Sequence, residues 1–428
     1  MNHRLLPLVV FALLLALALP LAAAPITSPA SAQGNDWHVE SATSLDSTGY
    51  PLNRITTGPD GRHFAVQEAD SLCVVEMPTI DETCVALPPE AHLNAPPREL
   101  FGPFGWSPDA SQLAIVGAPF VYLYDTDLTV MNAADGSLVT LADDGVEGSF
   151  GINSVPNLIV DSSPAWSPDG TQIAVERTAA NAAGEIKRSY VTLVDAATGD
   201  AQQVTGLPGY AAGDRDLGTV VSFAWSPDSG TLLFSTRHAR AEPLADGLWR
   251  VDLESGEPEL VLSLATALEP YREIFPEAQE VFVIAPVMWS PDGARLLLWM
   301  GNPGTMPSST WAFWMDVESG AIHPLAQPVE VAGDNPDLLY PTFATWSPDG
   351  AQILVAWRTL QEPMEDVGPS LYEGDTSIDV ILELLDVGMG DSTLLGYLPL
   401  VPAYRYAASW GEDGDVLIAG FYLTLAEG

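Results

Sequence analysis

Lysine is almost absent from this chain. Lys187 is the only one, and 15 basic residues stand against 57 acidic ones, a formal net charge of −42. A surface of that sign repels phosphate backbones and anionic lipid headgroups, which excludes nucleic acid and an anionic membrane surface as partners. Cysteine is nearly as scarce. Cys73 and Cys84 have no Cys or His companion nearby, so they form no zinc pattern. The five histidines after the first segment, His38, His63, His92, His238 and His323, also lack the pairing of a zinc site. No sustained helical periodicity follows Gln33, residues 263–280 being the nearest case, and this excludes helical bundles and doubly wound sheets. No apolar run after the first 32 residues is long enough to span a bilayer.

Those first 32 residues have the form of an export signal. A short basic start (Met1 to Arg4) leads into an apolar stretch at 5–24, and Ala30-Ser31-Ala32 has the small-x-small form of a cleavage site. The expectation is a signal peptide over 1–32 and a secreted, periplasmic or cell-envelope protein, with an uncleaved anchor as the alternative. Export puts the two cysteines in an oxidising compartment. They fall on what reads as neighbouring antiparallel strands joined by a turn near 78–81. A Cys73–Cys84 cross-strand disulfide is therefore expected, against the alternative of two buried thiols.

Proline and glycine are plentiful, 36 of each, and they recur in one phrase. WSPDG stands at 166–170, 289–293 and 346–350. Variants stand at 106–110 (WSPDA), 225–230 (WSPDSG) and 410–414 (WGEDG), and an eroded copy without Trp (GPDG) at 58–61. The aspartates at 60, 109, 169, 228, 292, 349 and 413 are 49, 60, 59, 64, 57 and 64 residues apart. A period of this size means copies of one supersecondary unit. Pro presets φ, Asp bonds back to the backbone and Gly accepts positive φ, so each phrase is a tight hairpin turn. Around it each unit reads strand, tight turn, strand, long loop, strand, Gly-bearing tight turn, strand. Residues 171–177 (TQIAVER) and 190–194 (YVTLV) show the alternation of strands.

Seven such units predict an all-β chain: a seven-bladed β-propeller of four-stranded antiparallel blades, a single domain over 33–428. Units begin near 52, 101, 162, 220, 283, 342 and 404. The last is short of strands, and 36–45 precedes the first turn without a blade of its own. Pairing these two pieces closes the ring. Whether the last few residues, from 423, add a third strand is open. The repeated Trp is expected in the core between blades.

Trp-Ser-Pro-Asp-Gly followed by a strand and a later Asp-x-x-x-Gly resembles the WD-repeat-like propeller units of the TolB family. The same unit occurs in the propeller of prolyl-oligopeptidase-type enzymes. The resemblance covers 52–420 and implies the propeller fold. It does not imply the role of TolB itself, which has six blades and an N-terminal α/β domain that finds no place before Asn53. Nor does it imply peptidase activity, because no Gly-x-Ser-x-Gly elbow is present.

Tight turns crowd one face of such a ring, so long connections crowd the other, where binding sits. Arg177, Arg237 and Arg358 close the second strands of their units, in the same place, at the mouth of the channel. With Arg215 and Tyr340 on the same side, they are the candidate binding residues for an anionic or carbohydrate-like ligand, or a partner's acidic segment. The competing reading pairs each Arg with a local acid such as Asp214, Asp216, Glu242 or Asp246. Acid clusters at 125–127 and 143–144 read as solvated loop charge rather than calcium sites. No catalytic, metal or cofactor motif emerges. The expected function is a monomeric, non-catalytic binding platform for a protein or an anionic ligand, using the long-loop face. The alternative is a secreted hydrolase or lyase that acts on carbohydrate with carboxylates in the channel.

Overall fold

In six of the seven repeats the first strand ends on the Trp (in the first it ends on Thr57), and this sets the architecture. The computed structural model describes residues 37–49, 55–67, 71–86, 104–116, 128–142, 159–180, 186–206, 219–237, 246–302, 309–326, 339–359, 380–399 and 408–427. These form seven four-stranded antiparallel sheets, a seven-bladed β-propeller. Blades 1 to 6 span 55–86, 104–142, 159–206, 219–263, 283–324 and 339–398. Blade 7 combines 408–427 with 37–44. In blade 3 the strands are Ile159–Trp166, Gln172–Ala180, Ile186–Asp195 and Ala201–Gly206, paired in that order. First strands contact first strands of neighbouring blades, so they line the axis. Their inner edge is unpaired, and this is why they tolerate proline. Pro164, Pro286 and Pro341 all lie at or beside a register shift in a first strand.

The turn phrase builds the same network in five blades. The Ser hydroxyl donates to the Asp carboxylate at 2.5–2.7 Å (Ser107–Asp109, Ser167–Asp169, Ser226–Asp228, Ser290–Asp292, Ser347–Asp349). The same hydroxyl accepts the first backbone N–H of the second strand at 2.9–3.0 Å. The indoles then tie blade to blade. Trp106, Trp166, Trp225, Trp289 and Trp346 each donate Nε1–H to the preceding blade, at 3.4, 3.0, 3.0, 3.3 and 3.4 Å. The acceptors are the carbonyls of Thr56, Gly105, Ala165, Ala224 and Met288. Each acceptor lies one residue before the Trp, or its equivalent, in that blade. The indole supplies an apolar body for the gap and a donor for an unpaired carbonyl at its far side.

Ring closure follows the expected scheme and completes it. Ala419-Gly420 makes a two-residue turn, so that Phe421–Glu427 is a full third strand. Trp37–Ser44 pairs with it from Trp37↔Glu427 to Ser44↔Phe421 and is the outermost strand. Among the described residues the structure departs from the all-strand reading in one 3-10 turn at Leu45–Thr48 and in one α-helix. Residues Leu264–Ile274 form a helix, α1, capped by the Ser263 hydroxyl on the Thr266 N–H. Leu264, Ala267 and Tyr271 bury one face, and the helix packs on the strands Pro258–Ser263, Arg295–Asn302 and Ile322–Pro324.

Cys73 and Cys84 are direct cross-strand partners in blade 1 and form a disulfide, with Cα atoms 4.1 Å apart. It rivets an outermost strand with no buried residue (Asp81–Ala86) to a buried one (Ser71–Glu76). Closing so short a loop restricts the unfolded chain, so the double variant Cys73→Ala/Cys84→Ala should lose about 2–3 kcal/mol. Denaturant unfolding with and without reductant checks this: reductant should lower the parent's midpoint and leave the variant's unchanged.

Candidate functional site

Both turns of blades 1 to 6 open on one face, and their aspartates are already engaged there. Hydroxyl donation from Ser107, Ser167 and Ser226 holds the carboxyls of Asp109, Asp169 and Asp228 below the usual carboxylate range. Asp195, Asp252, Asp316 and Asp386, at the ends of third strands, accept backbone N–H groups of the second turn. These acids shape the backbone.

The opposite face receives the connections between second and third strands and from blade to blade. They differ in length. About twenty residues separate the two strands in blade 6, three in blade 1, and two in blade 7. Most of the long connections, and Arg215 with them, lie outside the described residues. The connection after blade 4 is described and carries α1, whose Arg272 donates to the Ala278 carbonyl at 2.9 Å.

Among the described residues cations divide unequally between the two ends. Arg177, Lys187, Arg188, Arg237, Arg272 and Arg358 belong to the long-connection end. Arg62, Arg250 and Arg295 lie nearer the tight turns, and each has a partner: Asp415, Glu259 and the Trp314 ring. The three strand-end arginines do not occupy one equivalent place, however. Counted from the residue after the turn (Gln172, Thr231, Gln352), Arg177 is five positions on, and Arg237 and Arg358 are six. With side chains alternating along a regular strand, the Arg177 position belongs to the opposite blade face from that of Arg358. Across the ladder Arg177 faces Asp161, Arg237 faces Thr219, and Arg358 faces Tyr340. Arg177 is half-buried, whereas Arg358 is exposed and has no ion pair among the described residues. Tyr340 beside it is half-buried. The structure thus brings Tyr340 and Arg358 together and sets Arg177 apart.

The described side chains of the first strands include no carboxylate. Among the described residues no group of His, Cys, Asp or Glu has the arrangement of a metal site; the acid clusters at 125–127 and 143–144 lie outside them. Carboxylates do lie buried further out. Glu176, Asp246 and Glu383 are 5%, 0% and 1% exposed, and Glu383 accepts the Trp357 indole N–H at 2.8 Å. Sequence reasoning passed over Glu176 and Glu383 and took Asp246 only as a local partner for an Arg. The signal at Glu383 is an acid inside a continuous apolar strand, VILELLD at 380–386, and such an acid must be satisfied internally.

No protein-family model matches the sequence, and no curated protein matches it. The structure is similar to solved structures. One is an oligogalacturonate lyase in complex with manganese, with 13% sequence identity and a TM-score of 0.51, covering 90% of this chain and 93% of that one. A putative TolB from Agrobacterium tumefaciens has 15% identity and a TM-score of 0.41 over 85% of this chain and 99% of that one. Prolyl endopeptidase has 11% identity and a TM-score of 0.46 over 82% of this chain and 42% of that one. At 13% identity the likeness to the lyase speaks for the propeller fold alone. Among the described residues no helix is long and apolar enough to cross a membrane.

Proposed function

We propose that this protein is an exported, non-catalytic binding platform of the TolB-like propeller kind. It takes an anionic ligand, either an acidic carbohydrate or an acidic protein segment, on its long-connection face. The observation that carries this reading is the register pair Tyr340↔Arg358 at the long-connection end of the two inner strands of blade 6. An exposed guanidinium without an ion pair among the described residues offers two parallel N–H donors to a carboxylate. The adjacent phenol ring offers a flat apolar surface to a sugar or side chain. Propellers place such groups on a rigid frame, so little ordering cost is paid on binding.

Calorimetric titration with oligogalacturonate and with an oligo-aspartate peptide tests this. At least one should bind. Arg358→Ala should weaken that binding about tenfold, as expected for a charged hydrogen-bonding pair. Arg250→Ala, nearer the tight turns, should leave it unchanged. Failure of both probes to bind, or indifference to Arg358→Ala, would overturn the reading.

The likeness to the lyase over nine-tenths of both chains motivates a second reading, an enzyme that cleaves acidic carbohydrate. Incubation with oligogalacturonate separates the two. Rising ultraviolet absorbance from an unsaturated uronate would establish the enzyme, and binding without it the platform.

A further inference from the structure

Among the described residues two blade contacts lack the indole tie, 6–7 and 7–1, and only the second lacks the indole itself. Blade 1 has Thr57 where other blades have Trp, so no indole reaches back to the carbonyl of Ser409 in blade 7. Trp410 is buried and packs edge-on against Trp37, with ring centroids 5.1 Å apart, yet among the described residues its Nε1, which by the pattern would reach back to blade 6, and the Ser409 hydroxyl have no hydrogen-bond partner. Charge takes the place of the indole. The Arg62 guanidinium of blade 1 pairs with Asp415 of blade 7, which is buried, and lies 3.5 Å from the exposed Asp413. The Tyr422 hydroxyl donates to the other oxygen of Asp415 at 2.5 Å, and burial with that bond raises the phenol's pKa.

The blade 1 side of this contact is set by His63. Asp60 Oδ1 accepts the backbone N–H groups of Arg62 and His63 at 3.1 and 3.0 Å. Its Oδ2 accepts His63 Nδ1–H at 2.5 Å. Glu76 lies 3.9 Å from His63 Nε2, and the Trp106 ring lies 6.3 Å from the imidazole. His63, Asp60, Glu76, Arg62, Asp413, Asp415 and Tyr422 are thus the titratable and charged groups around the contact. The turn shaped by His63 abuts blade 7 directly: a Cβ on Gly411 would lie 2.0 Å from the Asp60 carbonyl oxygen, and one on Gly61 1.9 Å from that of Asp415. Loosening the Asp60 turn therefore loosens the seam.

The hydrogen bond to Asp60 raises the His63 pKa above its ordinary value near 6.5, against the opposing effect of burial. Burial pushes the Asp60 carboxyl up, but bonds from the His63 side chain and from the His63 and Arg62 backbones outweigh it and hold it below 3.8. A raised histidine contributes stability that is complete below pH 6.5 and is lost as pH rises through its folded value. A depressed carboxyl contributes stability present above pH 3.8 and lost as pH falls through its own folded value. The seam is tightest between those limits.

We propose that the seam between blades 7 and 1 is a proton-operated latch: the ring opens there before any other blade contact, and the operating proton sits on His63. Hydrogen exchange read by mass spectrometry on the full chain, corrected for intrinsic rates, tests it at pH 5.5 and 8.0. Opening of Trp37–Ser44 and Phe421–Glu427 should be about fivefold more frequent at the higher pH, the scale of a partly exposed charge pair. The blade 3–4 contact, followed in Ile159–Trp166 and Thr219–Trp225, should not change. His63→Gln should open equally at both values, and Asp60→Asn should do the same should the first variant fold poorly. A seam indifferent to pH, a parallel change at blades 3 and 4, or pH dependence surviving in the variants would overturn the latch.

Discussion

Restoring the consensus serine at position 411 should destabilise the protein by about 3 kcal/mol. Five turns carry Ser before the Pro-Asp pair, and consensus substitutions ordinarily stabilise. The two turns with Gly instead, Gly58 and Gly411, are the ones that meet at the seam. At Gly411 any Cβ would lie 2.0 Å from the Asp60 carbonyl oxygen and 2.5 Å from its carbon. Both are backbone atoms, so no side chain can rotate away and blade 7 must shift from blade 1. Overpacking costs about 1–3 kcal/mol, and a backbone obstacle belongs at the upper end. Gly388→Ala is the control, because its Cβ would meet only its own turn's Asp386 carboxylate at 3.4 Å. It should fall within about 0.5 kcal/mol of the parent. Urea unfolding of the three proteins decides the matter. A Gly411→Ser variant as stable as the parent would refute the close approach.

The second large effect concerns the indole ties. Trp225 is buried against Ala174, Val191, Leu193, Leu232, Phe234 and Val251, and it donates to the Ala165 carbonyl at 3.0 Å. Trp225→Ala should cost about 3–5 kcal/mol, from lost apolar contact and the cavity left between blades 3 and 4. Trp225→Phe keeps most of the apolar volume but orphans that carbonyl, adding about 1 kcal/mol. Trp410→Phe provides the comparison, since the Trp410 Nε1 has no acceptor among the described residues. The Phe variant at 225 should therefore be the less stable of the two. Equal losses in denaturant unfolding would show that the indole N–H contributes nothing and that the ring is held by packing alone.

Much of the fold was legible in the sequence because its determinants are local. Ser-Pro-Asp-Gly folds back through bonds spanning a few residues, and alternation marks the strands on either side. Cys73 and Cys84 were legible for the same reason, being equidistant from one turn. Helix α1 was not, because only Leu264, Ala267 and Tyr271 mark its buried face and Pro270 interrupts the pattern. In the candidate site, the repeat put Tyr340 and Arg358 on one side of the ring, and the strand register made them neighbours. The separation of Arg177 did not follow from the repeat, because it depends on a one-residue difference in offset from the turn. The burial of Glu176, Asp246 and Glu383 was hidden among 57 acids, and nothing in an acidic composition says which few are buried.

Repetition along the chain determined the unit, the number of blades and the scheme of closure, since each copy carries its own turn and six of the seven carry the indole. Tertiary structure alone decided the seam. Arg62 and Asp415 are 353 positions apart, and the glycines that look like decay of the repeat are fitted to carbonyls from the far end of the chain. Contacts between residues so distant leave no local pattern, and only closing the ring puts them face to face.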